Sequence, residues 1–264
     1  MRQWGAVLAG AVVMMASSYT GLSWGAAAGA LLAGGVLGVM AMRSRASGPA
    51  LVVALAVLFF GVSWLVNIPE AVLFDVVSPA MAPPMLLRGL LVSLVAASAV
   101  VWAAGRLRQE PTDSSVALPP LTTWSLLWRL AALVLVFSVC YIGAGMLIYP
   151  FVKAYYAGRA MPQPASMLSM QVLRSLAILG AAYPLLRTFA SRRDAVLALG
   201  VALPVFGVII PMLPQNPLMP GNIRLVHTLE TAPYLALFGV LIAVWFGPPR
   251  RVGTAAAPPE AMAA

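Results

Sequence analysis

Three residues near the C-terminal end of the chain carry the chemistry most worth testing. Arg224, His227 and Glu230 recur every three residues, so a helix places them on one face. A guanidinium, an imidazole and a carboxylate on one stripe belong against protein or water, not against lipid tails. His227 is the single histidine of the chain, and an imidazole can move protons near neutral pH. Pro233 follows within the same run and removes one backbone hydrogen bond there. Two more arginines sit in matching places upstream. Leu87-Arg88-Gly89-Leu90, Leu173-Arg174-Ser175-Leu176 and Ile223-Arg224-Leu225 each open an apolar run, and Gln171 lies one turn before Arg174. Such a recurrence is the pattern of an internal repeat.

Arg88, Arg174 and Arg224 against Glu230 leave a positive surplus. The ligand this favours is an anionic solute or a lipid headgroup, held by those residues together with Gln171 and His227. Arg88 lies 18 residues before Arg106, and Glu230 lies 20 before Arg250. At 1.5 Å per residue these are about 27 and about 30 Å of helix, close to the full apolar thickness of a bilayer. The cluster is therefore expected at one rim of the membrane. Two other readings fit the same residues: a salt-bridge network in an accessory or scaffold subunit, tying helix ends together, and a membrane enzyme using His227 as acid and base. Without a nameable reaction, the weight falls on binding rather than catalysis.

Other signals have plainer explanations. Asn67-Ile-Pro-Glu70 has the form of a capping box, with Asn67 as N-cap of a short surface helix over 68–77. Gly21-Leu-Ser23-Trp-Gly25 spells G-x-S-x-G, but a nucleophile elbow needs a strand before it, and both flanks here are apolar helical runs. One histidine and one cysteine, Cys140, suit neither a zinc site nor a disulfide framework. No metal and no cofactor is expected, and no glycine-rich phosphate loop follows a strand.

The elements that must position these residues follow from composition. Of 264 residues, 62% are hydrophobic and only 9% charged, against about a quarter charged in soluble domains. A bilayer is the solvent that suits such a chain. Apolar runs cover 4–19, 22–42, 50–66, 84–104, 123–149, 165–189, 195–212 and 223–246. The sequence thus predicts an all-α polytopic transmembrane helical bundle of eight spanning helices arranged as four hairpins. It forms a single transmembrane domain over 1–249, with a linker at 106–122 and a disordered cytoplasmic tail at 250–264. The short first run could instead be a cleaved signal peptide ending near Ala16-Ser17-Ser18, leaving seven spans.

Orientation comes from the basic residues. With both ends in the cytoplasm, Arg2, Arg43, Arg45, Arg106, Arg108, Arg129, Arg187, Arg192, Arg193, Arg250 and Arg251 lie inside, and only Arg88, Lys153, Arg159, Arg174 and Arg224 outside. The formal charge of +9 is read as this topology signal, not as a nucleic-acid surface. Ala-, Gly- and Arg-rich, Lys-poor usage points to a bacterial inner membrane. Gly25, Gly29, Gly34 and Gly38 let another helix approach closely. That helix is either the preceding run or, across a Gly25/Gly29 face, a second copy in a homodimer.

Overall fold

The structure is a computed structural model that describes residues 5, 7–11, 23–108, 118, 120–157, 161–215 and 219–249. Seven helices among these are long and apolar enough to cross a membrane: α1 (Trp24–Arg43), α2 (Gly48–Leu73), α3 (Pro79–Ala103), α4 (Thr123–Tyr156), α5 (Pro164–Leu186), α6 (Arg192–Met212) and α7 (Gly221–Phe246). The described residues contain no strand. The architecture is that of an all-helical, multi-pass membrane protein. Most of the first apolar run, the centre of the 106–122 linker and the 250–264 tail lie outside the described residues.

Neighbours in sequence pack as neighbours in space: α2 on α3, α4 on α5 and, most extensively, α6 on α7. At the last interface a β-carbon on Gly239 would run into the Leu199 carbonyl, so glycine sets the helix separation. The core between the spans is apolar and aromatic, with Phe59, Phe137, Phe206 and Phe238 fully buried. The Phe59 and Phe206 ring centroids stand 4.8 Å apart and those of Phe137 and Phe238 4.6 Å apart. α4 is the outlier. Only 11% of its most apolar window is buried, and Leu135, Val139, Met146, Leu147 and Phe151 are exposed. In a membrane this helix faces lipid over most of its circumference.

The small-residue stripe of α1 is used within the chain. Gly34 lies against Val7 and Ala11, as packing on the preceding run requires, while Gly25 and Gly29 lie against the 210–214 segment at the end of α6. Ser23 of the G-x-S-x-G sequence is the N-cap of α1, its Oγ accepting from the Ala26 N–H at 3.1 Å.

One end of the bundle gathers basic residues. Arg43 pairs with Asp194 at 2.9 Å, Arg106 donates to the Ala46 carbonyl at 3.0 Å, and the Arg45 N–H donates to the Thr188 carbonyl at 2.7 Å. Ser191 caps α6 there: its Oγ accepts from the Asp194 N–H and donates to the Asp194 carboxylate. Ser191→Ala removes both bonds and is expected to lower stability by about 1 kcal/mol, read as a drop in melting temperature in detergent.

Two spans are interrupted at facing positions. α2 contains a π-bulge at Gly61–Leu65, where the Val66 N–H reaches back five residues to the Gly61 carbonyl. α6 contains one at Val205–Ile209, where the Ile210 N–H bonds the Val205 carbonyl. Each bulge lies just before a proline, Pro69 or Pro211, which has no N–H to give. The Phe206 carbonyl loses its normal donor because Ile210 bonds elsewhere, and the Gly207 carbonyl loses its donor because residue 211 is proline. Both are rescued from α2. Ser63 Oγ donates to Phe206 O at 3.0 Å and Asn67 Nδ2 to Gly207 O at 2.9 Å. In a dry interior such bonds are close to obligatory.

Candidate functional site

The bulge in α2 also sets what that helix presents beyond it. One inserted residue turns the following face by about 100° relative to an uninterrupted helix. Asn67 and Glu70 thereby face α5. The Glu70 carboxylate accepts from Arg174 Nη1 at 2.5 Å, and Asn67 Oδ1 accepts from Nη2 at 3.4 Å. The Arg174 side chain is 4% exposed and that of Glu70 15%. The guanidinium carbon lies 5.8 Å from the ring centroids of both Phe137 and Tyr141 on α4, and Tyr141 hydrogen-bonds to Glu70. The Tyr141 and Tyr234 rings meet edge to face.

Glu230 enters from α7. Its carboxylate lies 3.2 Å from His227 Nδ1, and its side chain is 7% exposed against 29% for the imidazole. It faces Gly145 of α4, where a β-carbon would stand 3.6 Å from its Oε1, and it acts electrostatically on Arg174. Gln171, one turn before Arg174 on α5, is 1% exposed. Neither its side-chain oxygen nor its nitrogen has a hydrogen-bond partner among the described residues, and the same holds for Arg174 Nε. The result is a set of buried polar groups between α2, α4, α5 and α7, flanked by aromatic rings, in which Gln171 and Arg174 Nε are uncommitted.

The residues singled out from the sequence divide. Arg174, Gln171, His227 and Glu230 come together. Arg224 does not join them. It turns to the end of α6, where Nη1 donates to the carbonyls of Met212, at 3.0 Å, and of Pro214, matching a cation to the negative end of that helix. Arg88 lies half-buried on α3, beside Gly89, which seats the Trp64 ring. Arg174 and Arg224 therefore occupy similar sequence settings and perform different tasks.

Two expectations are corrected. Asn67 is not an N-cap: the helix runs through it, and its amide serves the bulge carbonyls and Arg174. Glu70, read as the partner residue of that cap, is the ion-pair partner of Arg174. The capping-box pattern is local, whereas the competing partners lie 104 and 140 residues away. Arg174 is also not at a helix end. It stands ten residues in from Pro164 and twelve from Leu186, in the middle of α5. Phe-Gly-Val stands at both bulges, at 60–62 and 206–208, each followed within its span by a proline; the third, at 238–240, lies in the unbroken α7 with no proline after it in that span.

No protein-family model matches the chain, and no curated protein or solved structure matches it either. The chain itself has a multi-pass helical membrane fold with a buried polar cluster.

Proposed function

We propose that this protein binds a small polar solute, and passes it across the membrane, at the cluster of Gln171, Arg174, Glu70, His227 and Glu230. The observation that carries this reading is Gln171. A buried amide without partners costs about 1–3 kcal/mol per unsatisfied group, and two such atoms sit one turn from a buried guanidinium whose Nε is also uncommitted. A site that is only a structural tie gains nothing from them. A site that receives a solute needs them. The anionic ligand expected from three arginines fits the geometry less well, because one arginine faces two carboxylates. A solute presenting both an acceptor and a donor, such as a small zwitterion or amide, suits the groups better. By the distribution of basic residues, the Arg43/Arg106/Arg192 end faces the cytoplasm, and His227, the most exposed member of the cluster, leads to the opposite side.

The test is a thermal-shift screen of the purified protein in nanodiscs against anionic, zwitterionic and cationic solutes. At least one class is expected to raise the melting temperature of the wild type. Gln171→Leu is expected to remove that response with no loss of basal stability, since it replaces an unsatisfied amide by an apolar group of similar size. A wild type indifferent to all three classes would sink the reading.

The second reading, a scaffold whose polar groups only fasten helices, is favoured by Ser63 and Asn67, whose bonds to the α6 bulge carbonyls are already complete. It predicts no solute response, with stability changes alone.

A further inference from the structure

At the basic end of the bundle, and sharing no residue with that cluster, α1 and α6 leave an apolar groove between them. Its walls are Gly35, Val36, Val39 and Met40 on one side and Leu197, Ala198 and Val201 on the other, with Arg43 at its end. Both walls are single helix faces, spaced three and four residues apart. Val39, Leu197 and Val201 are exposed. At Gly35 the wall opens onto free space, where a β-carbon would meet nothing within 4 Å and a longer side chain would extend into the groove. Gly34, one position away, faces Val7 and Ala11, so the described part of the preceding run packs on another side of α1.

Each wall ends in charge. The α1 wall runs into Arg43 and then Arg45. The α6 wall begins at Arg192, Arg193 and Asp194. The carboxylate of Asp194 is committed on both oxygens, Oδ1 to Arg43 and Oδ2 to Ser191. Arg43 uses one donor of its five on that bond, and half of its side chain remains exposed. Arg43 lines the mouth and Arg193 acts on the same carboxylate; two arginines against one occupied carboxylate give the mouth of an apolar slot a positive surplus. In a bilayer, a slot between two spans with a positive mouth at the headgroup level matches one molecule in shape and charge: a phospholipid with an acyl chain along the groove and an anionic phosphate at the arginines.

We infer that the α1/α6 groove is a binding site for an anionic phospholipid, with Gly35 making room for the acyl chain and Arg43 and Arg193 receiving the headgroup. The full chain in detergent, titrated with phosphatidylglycerol and with phosphatidylcholine and followed by native mass spectrometry, tests it. The wild type is expected to bind its first phosphatidylglycerol about tenfold more tightly than phosphatidylcholine, since each basic contact contributes on the order of 1 kcal/mol. Gly35→Leu fills the slot from open space, so it is expected to fold normally and to lose high-affinity binding of both lipids. Arg43→Gln is expected to keep acyl binding and to lose most of the headgroup preference. Equal binding of the two lipids by the wild type would overturn the inference. So would a Gly35→Leu protein that keeps the wild-type preference, because the headgroup attraction would then need no groove.

Discussion

Replacing Glu70 with glutamine is expected to be among the most damaging single changes in this protein, at about 3–5 kcal/mol. Arg174 is 4% exposed and Glu70 15%, so solvent screens this pair little. An ion pair in such surroundings adds modest net stability, because desolvating both charges offsets most of their attraction. Removing one partner is different, since it strands the other charge away from water. Glu70→Gln leaves the Arg174 guanidinium with Asn67 Oδ1 at 3.4 Å, the faces of Phe137 and Tyr141 and the charge of Glu230, which does not hydrogen-bond to it. Arg174→Met strands the carboxylate in the same way. The double replacement Glu70→Gln/Arg174→Met removes both charges and is expected to recover most of the loss. Denaturation midpoints of the two singles and the double, measured in one detergent, give the coupling directly. Additive losses would show that the two charges do not depend on each other. The double variant also separates the two functional readings. A solute site loses its thermal-shift response in a protein that still folds, whereas a mere fastening shows no such response before or after the change.

The two halves of this pair were unequally legible in the sequence, and the reason is physical. Arg174 announces itself, because a guanidinium inside an apolar run needs an explanation wherever it lies. Glu70 does not, because Asn-x-x-Glu with a proline between is a complete local motif. A span boundary is legible for the same reason that Arg174 is. Runs of about 20 apolar residues locate α1 through α7 to within a few residues at most ends. They place the end of α2 too early, at 66 instead of Leu73, because the polar Asn67 and Glu70 interrupt the hydropathy without ending the helix. Which faces meet is not written in hydropathy at all. In a span apolar on every side, the partner of each face is chosen by features such as the Gly239 contact with Leu199 and the paired bulges. Arg224 shows the converse limit. It shares a helical stripe with His227 and Glu230, yet its side chain reaches back past the helix start to the carbonyls of α6. A long flexible side chain at a helix terminus is not bound to the face its spacing suggests.

Asn67→Leu is expected to have the second-largest effect, because this one amide holds three helices in register. Its Nδ2 serves Gly207 O at 2.9 Å and Ser63 O at 3.1 Å, and its Oδ1 accepts from Arg174. Ser63 O has its own helix as a second source of donors. Gly207 O has none, since Pro211 occupies the position that would supply one. The leucine variant therefore buries an orphaned carbonyl, at about 1–3 kcal/mol, and weakens one contact to the guanidinium. Leucine has the branching of asparagine with methyl groups in place of the amide, so what it removes is the hydrogen bonding. Pro211→Ala in the same background provides the decisive comparison. It restores an N–H four residues beyond Gly207 and lets that carbonyl return to an ordinary helical bond. If the orphaned carbonyl is the cause, Asn67→Leu/Pro211→Ala is expected to regain stability that Asn67→Leu alone loses, and the α6 amides over 205–211 to gain protection from hydrogen exchange. Should the double variant remain as unstable as Asn67→Leu, the weight of Asn67 would lie in its bond to Arg174 and not in closing the bulge.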